Sequence, residues 1–328
     1  MSLKLSAERR TWPLREPFAI SRGVSTVMET VMVTLIDENG LRGRGEGCGV
    51  NYAGETPQSM LEQIHQVRPE IEAEATREQL LELMPAGGSR FAIDAAMWDL
   101  EAKRTGMSAF SRAGVTDPKP VSTAYTIGIR SIEAYETAAA ARATFQVLKI
   151  KVDQGDPIAA IAAARRGAPN SAFIVDPNQA WNVSTLKILA PTLVDLGVVL
   201  LEQPIKVGEE HELDGYDCPV RLCADELIQD TSDLHKAKGR FDVINIKLDK
   251  AGGLTEGLRL ADAALIAGFE LMVGCMGGSS LSMAPGMVLA QRCAFVDLDG
   301  PLLQSEDWPD GMSYRDGIVQ PPRPSFWG

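Results

Sequence analysis

Residues 145–152 read FQVLKIKV, residues 172–177 read AFIVDP, and residues 197–204 read GVVLLEQP. Each stretch is a short apolar run that ends in charged residues, and the intervals between them carry Ala- and Leu-rich helical patterns. Apolar strands of this kind are typical of a parallel sheet that is covered by helices. These three runs therefore predict a series of strand–helix units.

The same pattern extends in both directions along the chain. VSTAYTIGI (121–129) precedes the three runs, and VRLCADE (220–226), DVINIKL (242–248), FELMVGCM (269–276) and CAFVDLD (293–299) follow them. Eight such units in about 185 residues favour a barrel over an open sheet, although the interval before VRLCADE has a weaker helical pattern. Residues 301–328 are rich in Pro and Gly, so we expect no eighth barrel helix there.

The first third of the chain has a different order of elements. METVMVTLIDENGLRGRGEG (28–47) contains two runs separated by Asn39-Gly40, which is a hairpin signal. Helical patterns follow, and the last, FAIDAAMWDLEAKRTG (91–106), ends in a glycine suited to a helix C-terminus. We therefore predict an α+β domain over residues 1–116, a barrel carrying the catalytic residues over 117–300, and a C-terminal segment, 301–328, that packs back on the first domain.

Composition excludes several classes of function. The chain has 328 residues, 45% of them hydrophobic, and a net charge of −12. Such a surface repels nucleic acid and anionic membranes, so neither is an expected partner. The five cysteines show no CxxC spacing, the N-terminus has no apolar signal region, and no run of about 18 apolar residues is present. These features favour a cytoplasmic protein.

Charged residues recur at the predicted strand ends. In chain order they are Lys149, Lys151, Asp176, Glu202, Asp225 and Lys247. From Lys151 onward, each is 22 to 26 residues from the next. Because one βα unit separates each from the next, all of them should meet at the C-terminal mouth of the barrel, where barrel enzymes have their active sites.

The three acidic residues predict a metal site. Asp176, Glu202 and Asp225 would repel one another if they converged without a counter-charge. A hard cation resolves this, and carboxylate oxygens with open positions for water or substrate favour Mg2+. Since no histidine or cysteine ends these strands, zinc is not expected.

The lysines on either side of the triad predict proton transfer. Lys149 and Lys151 point the same way because a strand repeats every two residues, and Lys149 together with the metal should lower the pKa of Lys151. Lys247 would face Lys151 across the metal. One lysine could remove an α-proton from one face and the other could return it on the opposite face, while the metal stabilises the enediolate between the two steps.

Taken together, these motifs resemble the enolase superfamily, specifically its muconate lactonising enzyme subgroup. The matching pieces are Lys149-Ile150-Lys151, IVDPNQAW, LLEQP, CADE and NIKLDKAGG, in this order, and the helix at 91–106 resembles the last helix of that family's capping domain. The resemblance implies an α/β fold, a modified TIM barrel (β/α)7β with an α+β N-terminal capping domain. It also implies Asp176, Glu202 and Asp225 as Mg2+ ligands and Lys151 and Lys247 as the acid/base pair.

Two further features narrow the resemblance. FELMVGCMGG lacks the histidine that the mandelate racemase subgroup would place on strand seven. Asp297-Leu298-Asp299 on strand eight resembles the Asp-x-Asp of dipeptide epimerases, whose carboxylates hold the substrate's ammonium group, and two aspartates at a spacing of two would form an anionic pocket. The runs that contain Cys275-Met276 and Asp297-Leu298-Asp299 look most like L-Ala-D/L-Glu epimerases of peptidoglycan recycling.

One departure from that group concerns specificity. The family's specificity loop corresponds to Ser21–Thr30, with Tyr52 nearby, and the arginine expected just after Arg22-Gly23 is absent, since Ser25 stands in that segment. Arg22 could replace it or form a loop salt bridge. The predicted substrate-binding residues are Asp297, Asp299, Arg22, Ser25, Tyr52, Cys275 and Met276.

Several functions remain open at this point. The first is a Mg2+-dependent epimerase of L-Ala-D/L-Glu, and the second is an epimerase of another dipeptide. The third is a cycloisomerase or o-succinylbenzoate synthase, whose anionic substrates lack the ammonium group. The fourth is a binding protein that has lost catalysis. A small dipeptide is the expected partner, and a homo-oligomer is compatible with the sequence.

Overall fold

The computed structural model describes residues 3–21 and 23–328. Its N-terminal part is a three-stranded antiparallel sheet in the order β1-β2-β3, followed by four helices. The strands are β1 (Lys4–Ile20), β2 (Gly23–Ile36) and β3 (Arg42–Cys48), and the helices are α1 (Pro57–Glu72), α2 (Arg77–Leu83), α3 (Gly88–Thr105) and α4 (Ala109–Arg112), with a 3-10 turn at Asn51–Ala53.

The predicted local signals explain these elements. Gly40 has a φ of +80°, and the Asp37 carboxylate accepts hydrogen bonds from the N–H groups of Asn39 (3.0 Å) and Leu41 (2.9 Å), which closes the β2–β3 hairpin. Helix α3 ends at Thr105, and the N–H of the next residue, Gly106, donates to Ala102 O at 2.8 Å. The α+β character of this region is confirmed.

The eight strands of the predicted barrel form one parallel sheet, and their order across the sheet follows their order along the chain. From Val121 onward the strands are β4 (Val121–Ser122), β5 (Tyr125–Ile127), β6 (Val147–Lys151), β7 (Ala172–Asp176), β8 (Val198–Glu202), β9 (Leu222–Ala224), β10 (Val243–Lys247), β11 (Glu270–Gly274), β12 (Phe295–Val296), β13 (Tyr314–Arg315) and β14 (Ile318–Val319). The helices are α5 (Ile132–Ala140), α6 (Pro157–Gly167), α7 (Val183–Asp195), α8 (Leu234–Ala237), α9 (Leu248–Ala251), α10 (Leu254–Ile266), α11 (Ser280–Ala290) and α12 (Gly300–Leu303), with 3-10 turns at Glu210–Leu213 and Thr231–Asp233.

The first predicted strand is split in the structure. Val121–Ser122 pairs with β14 in a small antiparallel sheet, and Tyr125–Ile127 alone joins the parallel sheet. Between them, Ala124 N–H donates to Val296 O at 2.8 Å and so ties the first strand to the last. The predicted fold class is confirmed. The weakly helical interval before β9 holds only a 3-10 turn.

The interior of the sheet sets the position of the charged residues. Ile174, Leu200 and Cys223 are fully buried members of one apolar cluster contributed by adjacent strands. Because side chains alternate along a strand, the residues two positions further on also face this interior, at the carboxyl ends of the strands. None of the described helices is both long enough and apolar enough to cross a membrane.

The C-terminal residues contact the N-terminal domain. Trp327 Nε1 donates to Ala95 O at 3.2 Å, and Gly328 N–H donates to the Asp99 carboxylate at 2.9 Å, both on α3. The boundaries given above for the three parts of the chain stay predictions.

Candidate active site at the barrel mouth

Three buried carboxylates lie side by side at the mouth. Asp176 is the last residue of β7, Glu202 is the last of β8, and Asp225 follows β9 directly. Their exposed fractions are 0%, 0% and 1%. Each stands two residues after a member of the apolar interior cluster, so the strand repeat places all three inside the barrel.

Lys149 joins several of these acids. Its Nζ lies 2.8 Å from Glu202 Oε2, 2.8 Å from Asp297 Oδ2 and 3.2 Å from Asp176 Oδ2. Burial opposes the charge on Lys149, but the nearby Asp297, Glu202 and Asp176 carboxylates outweigh it and raise its pKa well above the usual range. Lys149 is therefore an ammonium ion shared among the acids of the mouth.

Two more lysines stand at opposite ends of the carboxylate row. Lys151 Nζ lies 2.5 Å from Asp176 Oδ2 and donates to Asn178 Oδ1 at 2.9 Å. Lys247 Nζ lies 2.6 Å from Asp225 Oδ2 and 3.8 Å from Glu202 Oε1. Both lysines line the same cavity, so the two ammonium groups approach one space from different strands.

The acids of the row differ in pKa. Burial works against ionisation of Asp176, but Lys151 and its neighbours outweigh this and lower the Asp176 pKa to about 2. Burial, followed by the charge of Asp176, raises the pKa of Glu202 to about 7. Although burial opposes it, contact with Asp225 raises the pKa of Lys247 well above the usual range. The row therefore binds positive charge strongly at both ends.

The donor set fits a hard cation. Lys149 bridges Asp176 and Glu202, and Lys247 bridges Glu202 and Asp225, so each neighbouring pair of carboxylates already shares a positive group. Glu202 Oε2 accepts no hydrogen bond in the described structure and has only its ion pair with Lys149. Within residues 3–21 and 23–328, no group of three or more acidic, His or Cys residues has the arrangement of a formed metal site. Lysines lie between the carboxylates instead. Oxygen donors of this kind suit Mg2+.

Asp297 and Asp299 reach the cavity from beyond strand eight. The eighth strand of the barrel, β12, ends at Val296. The prediction that both aspartates belong to this strand was therefore wrong, but both line the cavity. Asp299 Oδ2 accepts a hydrogen bond from Thr126 N–H at 2.6 Å, and burial together with the charge of Asp297 raises the Asp299 pKa to about 7.

The cavity has a volume of about 100 Å³ and two chemically different sides. The barrel supplies three lysines and two aspartates, together with the loop residues Cys275, Met276 and Gly277. The charged residues are Lys149, Lys151, Lys247, Asp297 and Asp299. The N-terminal domain supplies the apolar side chains Phe18, Ile20 and Met28. Cys275 and Met276 were predicted from the sequence, and Met28 lies within the predicted loop Ser21–Thr30, whereas Phe18 and Ile20 were not predicted.

Two of the remaining predicted substrate-binding residues do not belong to the described lining of this cavity. Ser25 and Tyr52 are exposed and lie outside the described lining, and Arg22 lies outside the described residues. Most of the expected loop Ser21–Thr30 belongs to β2, and Ser25 pairs with Phe18 across the β1–β2 hairpin. The roles of Arg22, Ser25 and Tyr52 stay predictions.

The sequence analysis did not identify two residues that contact the carboxylates. Asn245 lies on β10, and Lys250 lies on α9, the helix that follows it. Lys250 is buried, and its Nζ lies 2.6 Å from Asp225 Oδ1. Asn245 Nδ2 donates to Glu202 Oε1 at 3.0 Å. Both lie in NIKLDKAGG, so the motif contained the signal, but a polar residue inside a motif does not reveal its partner.

Two further missed residues have strained backbones. Asn178 (φ +47°) and Gln203 (φ +35°) follow the ends of β7 and β8. Asn178 N–H donates to Asp176 Oδ1 at 2.8 Å, and Gln203 Oε1 accepts from Asp225 N–H at 2.9 Å. Asn178 thus contacts the Asp176 carboxylate directly, whereas Gln203 holds the backbone of Asp225.

Comparison with known families decides the classification. Residues 3–111 match the mandelate racemase / muconate lactonizing enzyme N-terminal domain, and residues 133–324 match the enolase C-terminal domain-like family. The chain belongs to the enolase superfamily. The resemblance drawn from the sequence motifs is thereby confirmed.

Individual members of the superfamily give finer likenesses. The chain is 38% identical to the L-Ala-D/L-Glu epimerase of Escherichia coli (strain K12) over 308 residues, which cover 93% of this chain and 96% of that protein. It is 42% identical to an N-acetyl-D-glutamate racemase of Pseudoalteromonas sp over 250 residues, covering 76% and 79%. The predicted enzyme class, an isomerase, is confirmed by these relatives.

Solved structures agree with the sequence matches. An Agrobacterium tumefaciens enolase family member with homology to dipeptide epimerases, with bound sodium and L-Ala-L-Glu, superposes with a TM-score of 0.97 at 38% identity, covering 99% of this chain and 100% of that one. A dipeptide epimerase from Enterococcus faecalis V583, complexed with Mg and L-Leu-L-Tyr, has a TM-score of 0.91 at 28% identity, covering 98% and 97%.

Proposed function

We propose that this enolase superfamily member is a Mg2+-dependent dipeptide epimerase that inverts the α-carbon of the C-terminal residue of an L-Ala-X dipeptide. The observation that carries the proposal is the placement of Lys151 and Lys247 at opposite ends of one carboxylate row, with both ammonium groups lining one cavity. An α-carbon placed between them has a proton acceptor on one face and a proton donor on the other.

In this mechanism Asp176, Glu202 and Asp225 are the residues that would hold the metal ion. When bound, Mg2+ would supply positive charge beside the substrate carboxylate and so favour ionisation at the adjacent carbon. Lys151 Nζ removes the α-proton of one epimer, and Lys247 Nζ delivers a proton to the opposite face. In the reverse direction the two lysines exchange these roles.

The contacts of Lys247 set a condition on its role as a base. Asp225 and Glu202 raise its pKa, so Lys247 becomes a base only when those carboxylates have another positive partner. Lys250 already holds one oxygen of Asp225. Lys149 keeps the row together from the other side, and its short contacts with three acids suit it to positioning them.

Asp297 and Asp299 would bind the amino group of the dipeptide. Both line the cavity near the lysines, and Asp299 is buried with a raised pKa. An incoming ammonium group would favour ionised Asp299, which gives the site a preference for a substrate with a free amine. This arrangement argues against a cycloisomerase or o-succinylbenzoate synthase, because their anionic substrates lack that group.

Two readings of the second residue remain. L-Ala-D/L-Glu, used in cytoplasmic recycling of murein peptides, is supported by the likeness to the Escherichia coli epimerase. An apolar second residue is supported by the cavity itself, since Phe18, Ile20 and Met28 form the side contributed by the N-terminal domain. We put L-Ala-D/L-Glu first and keep the apolar dipeptide as the second candidate.

Proton NMR in deuterated water tests the proposal directly. The protein with Mg2+ is incubated separately with L-Ala-L-Glu, L-Ala-L-Leu and N-acetyl-L-glutamate. Loss of the C-terminal α-proton together with the appearance of the L,D diastereomer is expected, and it should be faster for L-Ala-L-Glu. Faster reaction of L-Ala-L-Leu would select the second candidate. Reaction of N-acetyl-L-glutamate alone would contradict the dipeptide assignment, and binding without exchange would indicate a protein that has lost catalysis.

A further inference from the structure

A buried carboxylate of the N-terminal domain reaches into the barrel at one helix start. Glu46 on β3 is fully buried, its Oε1 accepts a hydrogen bond from Ser279 N–H at 2.9 Å, and its Oε2 accepts one from Ser279 Oγ at 2.7 Å. Ser279 caps α11, an 11-residue helix whose positive end favours a carboxylate. Glycines at 45 and 47 pack on the α3 backbone, so the strand repeat turns Glu46 toward the barrel.

Ser279 ends the loop that forms one wall of the cavity. Cys275, Met276 and Gly277 line the cavity, and the loop then passes through Gly278 to the start of α11. Gly278 has a φ of +114°, and a Cβ added there would lie 3.1 Å from Glu46 Oε1. The carboxylate of Glu46 therefore packs directly against the backbone of this wall.

Other polar contacts of the wall are made within the barrel. Met276 N–H donates to Asp249 Oδ2 at 3.4 Å, which is near the limit for a hydrogen bond. At the Ser279 end, Trp308 Nε1 donates to Ser279 Oγ at 2.8 Å and leaves the hydroxyl proton to point toward Glu46. Glu46 thus joins Ser279, at the end of this wall, directly to the N-terminal domain.

We propose that Glu46 is a positioning residue for the substrate cavity, anchoring the wall of residues 275–279 so that Cys275 and Met276 keep the shape that accepts the dipeptide. This inference rests on the proposed function, because it takes the dipeptide as the occupant of the cavity. Loss of the anchor should weaken substrate binding more than it slows proton transfer, since Glu46 contacts neither catalytic lysine.

The chain contains a matched control for a general loosening of the two domains. Asp94 on α3 is also fully buried, and it accepts hydrogen bonds from Thr255 N–H at 3.1 Å and from the Thr255 hydroxyl in the first turn of α10. The contact has the same chemistry, but Thr255 is not part of the described cavity lining. Asp94→Asn therefore perturbs the same kind of contact away from the cavity.

Hydrogen exchange measured by mass spectrometry on the full chain compares the two sites. Glu46→Gln should speed exchange in a peptide covering 274–282 by about tenfold, because a charge-assisted bond is lost. It should leave a peptide covering 253–260 unchanged, and Asp94→Asn should give the reverse pattern. Unchanged exchange over 274–282 in Glu46→Gln would overturn the proposal.

Kinetics then separate positioning from stability. For Glu46→Gln we expect KM for the dipeptide to rise about tenfold and kcat to change less than threefold, while Asp94→Asn leaves KM within twofold of the native protein. An equal rise of KM in both variants would overturn the proposal by showing that only the attachment of the domains matters. If the native protein epimerises no dipeptide, the proposed function fails, but the exchange experiment still tests Glu46 because it needs no substrate.

If Glu46→Gln does not fold, Ser279→Ala is the second variant that tests the anchoring role. It removes the hydroxyl that donates to Glu46 but keeps the backbone N–H contact, so exchange over 274–282 and KM should each rise about threefold. Native values for both quantities in Ser279→Ala would contradict the anchoring role.

Discussion

The barrel mouth and the contact between the two domains both bury carboxylates, but they balance the charge differently. At the mouth, Asp176 and Asp225 lie within 2.6 Å of lysine ammonium groups. At the domain contact, Glu46 and Asp94 accept hydrogen bonds from backbone N–H and hydroxyl groups at helix starts. One cation can replace another in an ion pair, whereas an N–H group holds its acceptor in one direction. The mouth is therefore suited to chemistry and the domain contact to alignment.

The largest effect should follow from removing one lysine of the mouth. Lys247→Ala is expected to lower the rate of epimerisation by at least about 10³-fold, because one face of the α-carbon loses its proton donor. The fold should persist, since Lys250 still lies 2.6 Å from Asp225 Oδ1. NMR of the dipeptide reports the rate, and Lys187→Ala, at an exposed position, is the control. Retention of a tenth of the native rate would contradict this role for Lys247.

Lys149→Met should mainly affect stability. The substitution leaves Asp176, Glu202 and Asp297 without their shared ammonium group, and breaking a buried ion pair of this kind costs about 3–5 kcal/mol. Urea unfolding without added divalent ions measures the free energy of unfolding. Lys236→Met breaks a partly exposed pair with Asp233 and should cost less than about 1 kcal/mol. Equal losses in the two variants would show that the mouth is not held by this lysine.

At the domain contact, a carboxylate without a lysine partner should make stability depend on pH. Burial raises the pKa of Asp94 from 3.8 to about 6, so the folded protein binds this proton more tightly than the unfolded chain. The associated stability is complete below about pH 4 and is lost as the pH rises through about 6. Relative to Asp94→Asn, the native protein should lose on the order of 2–3 kcal/mol between pH 4 and pH 7. Parallel unfolding curves across this range would contradict the raised pKa.

The smallest effect concerns the apolar side of the cavity. Phe18→Ala should shift the ratio of kcat/KM for L-Ala-L-Leu over L-Ala-L-Glu by about tenfold toward glutamate, because the apolar contact is lost. Val24→Ala is the matched control, since Val24 lies on the same hairpin but is 67% exposed and outside the described lining. An equal shift in both variants would show that Phe18 does not select between the two dipeptides.

The residues of the mouth could be predicted because their positions follow from patterns within short stretches of the sequence. The strand repeat and the length of one βα unit together place Lys151, Asp176 and Lys247 at one end of the sheet. The contribution of Phe18 and Ile20 to the cavity could not be predicted, because nothing in a strand pattern indicates which end of a hairpin docks over a barrel. The partners of Lys250 and Glu46 depend in the same way on tertiary contacts between segments distant in sequence.

Isotope exchange with each epimer separately tests the central claim, that two lysines serve opposite faces of one carbon. Lys151→Ala and Lys247→Ala are each incubated in deuterated water with L-Ala-L-Glu and with L-Ala-D-Glu, and loss of the α-proton is followed by NMR. The account predicts that neither variant epimerises and that each still exchanges the α-proton of one epimer, a different one in the two variants. Exchange of the same epimer by both variants, or of both epimers by either one, would contradict it.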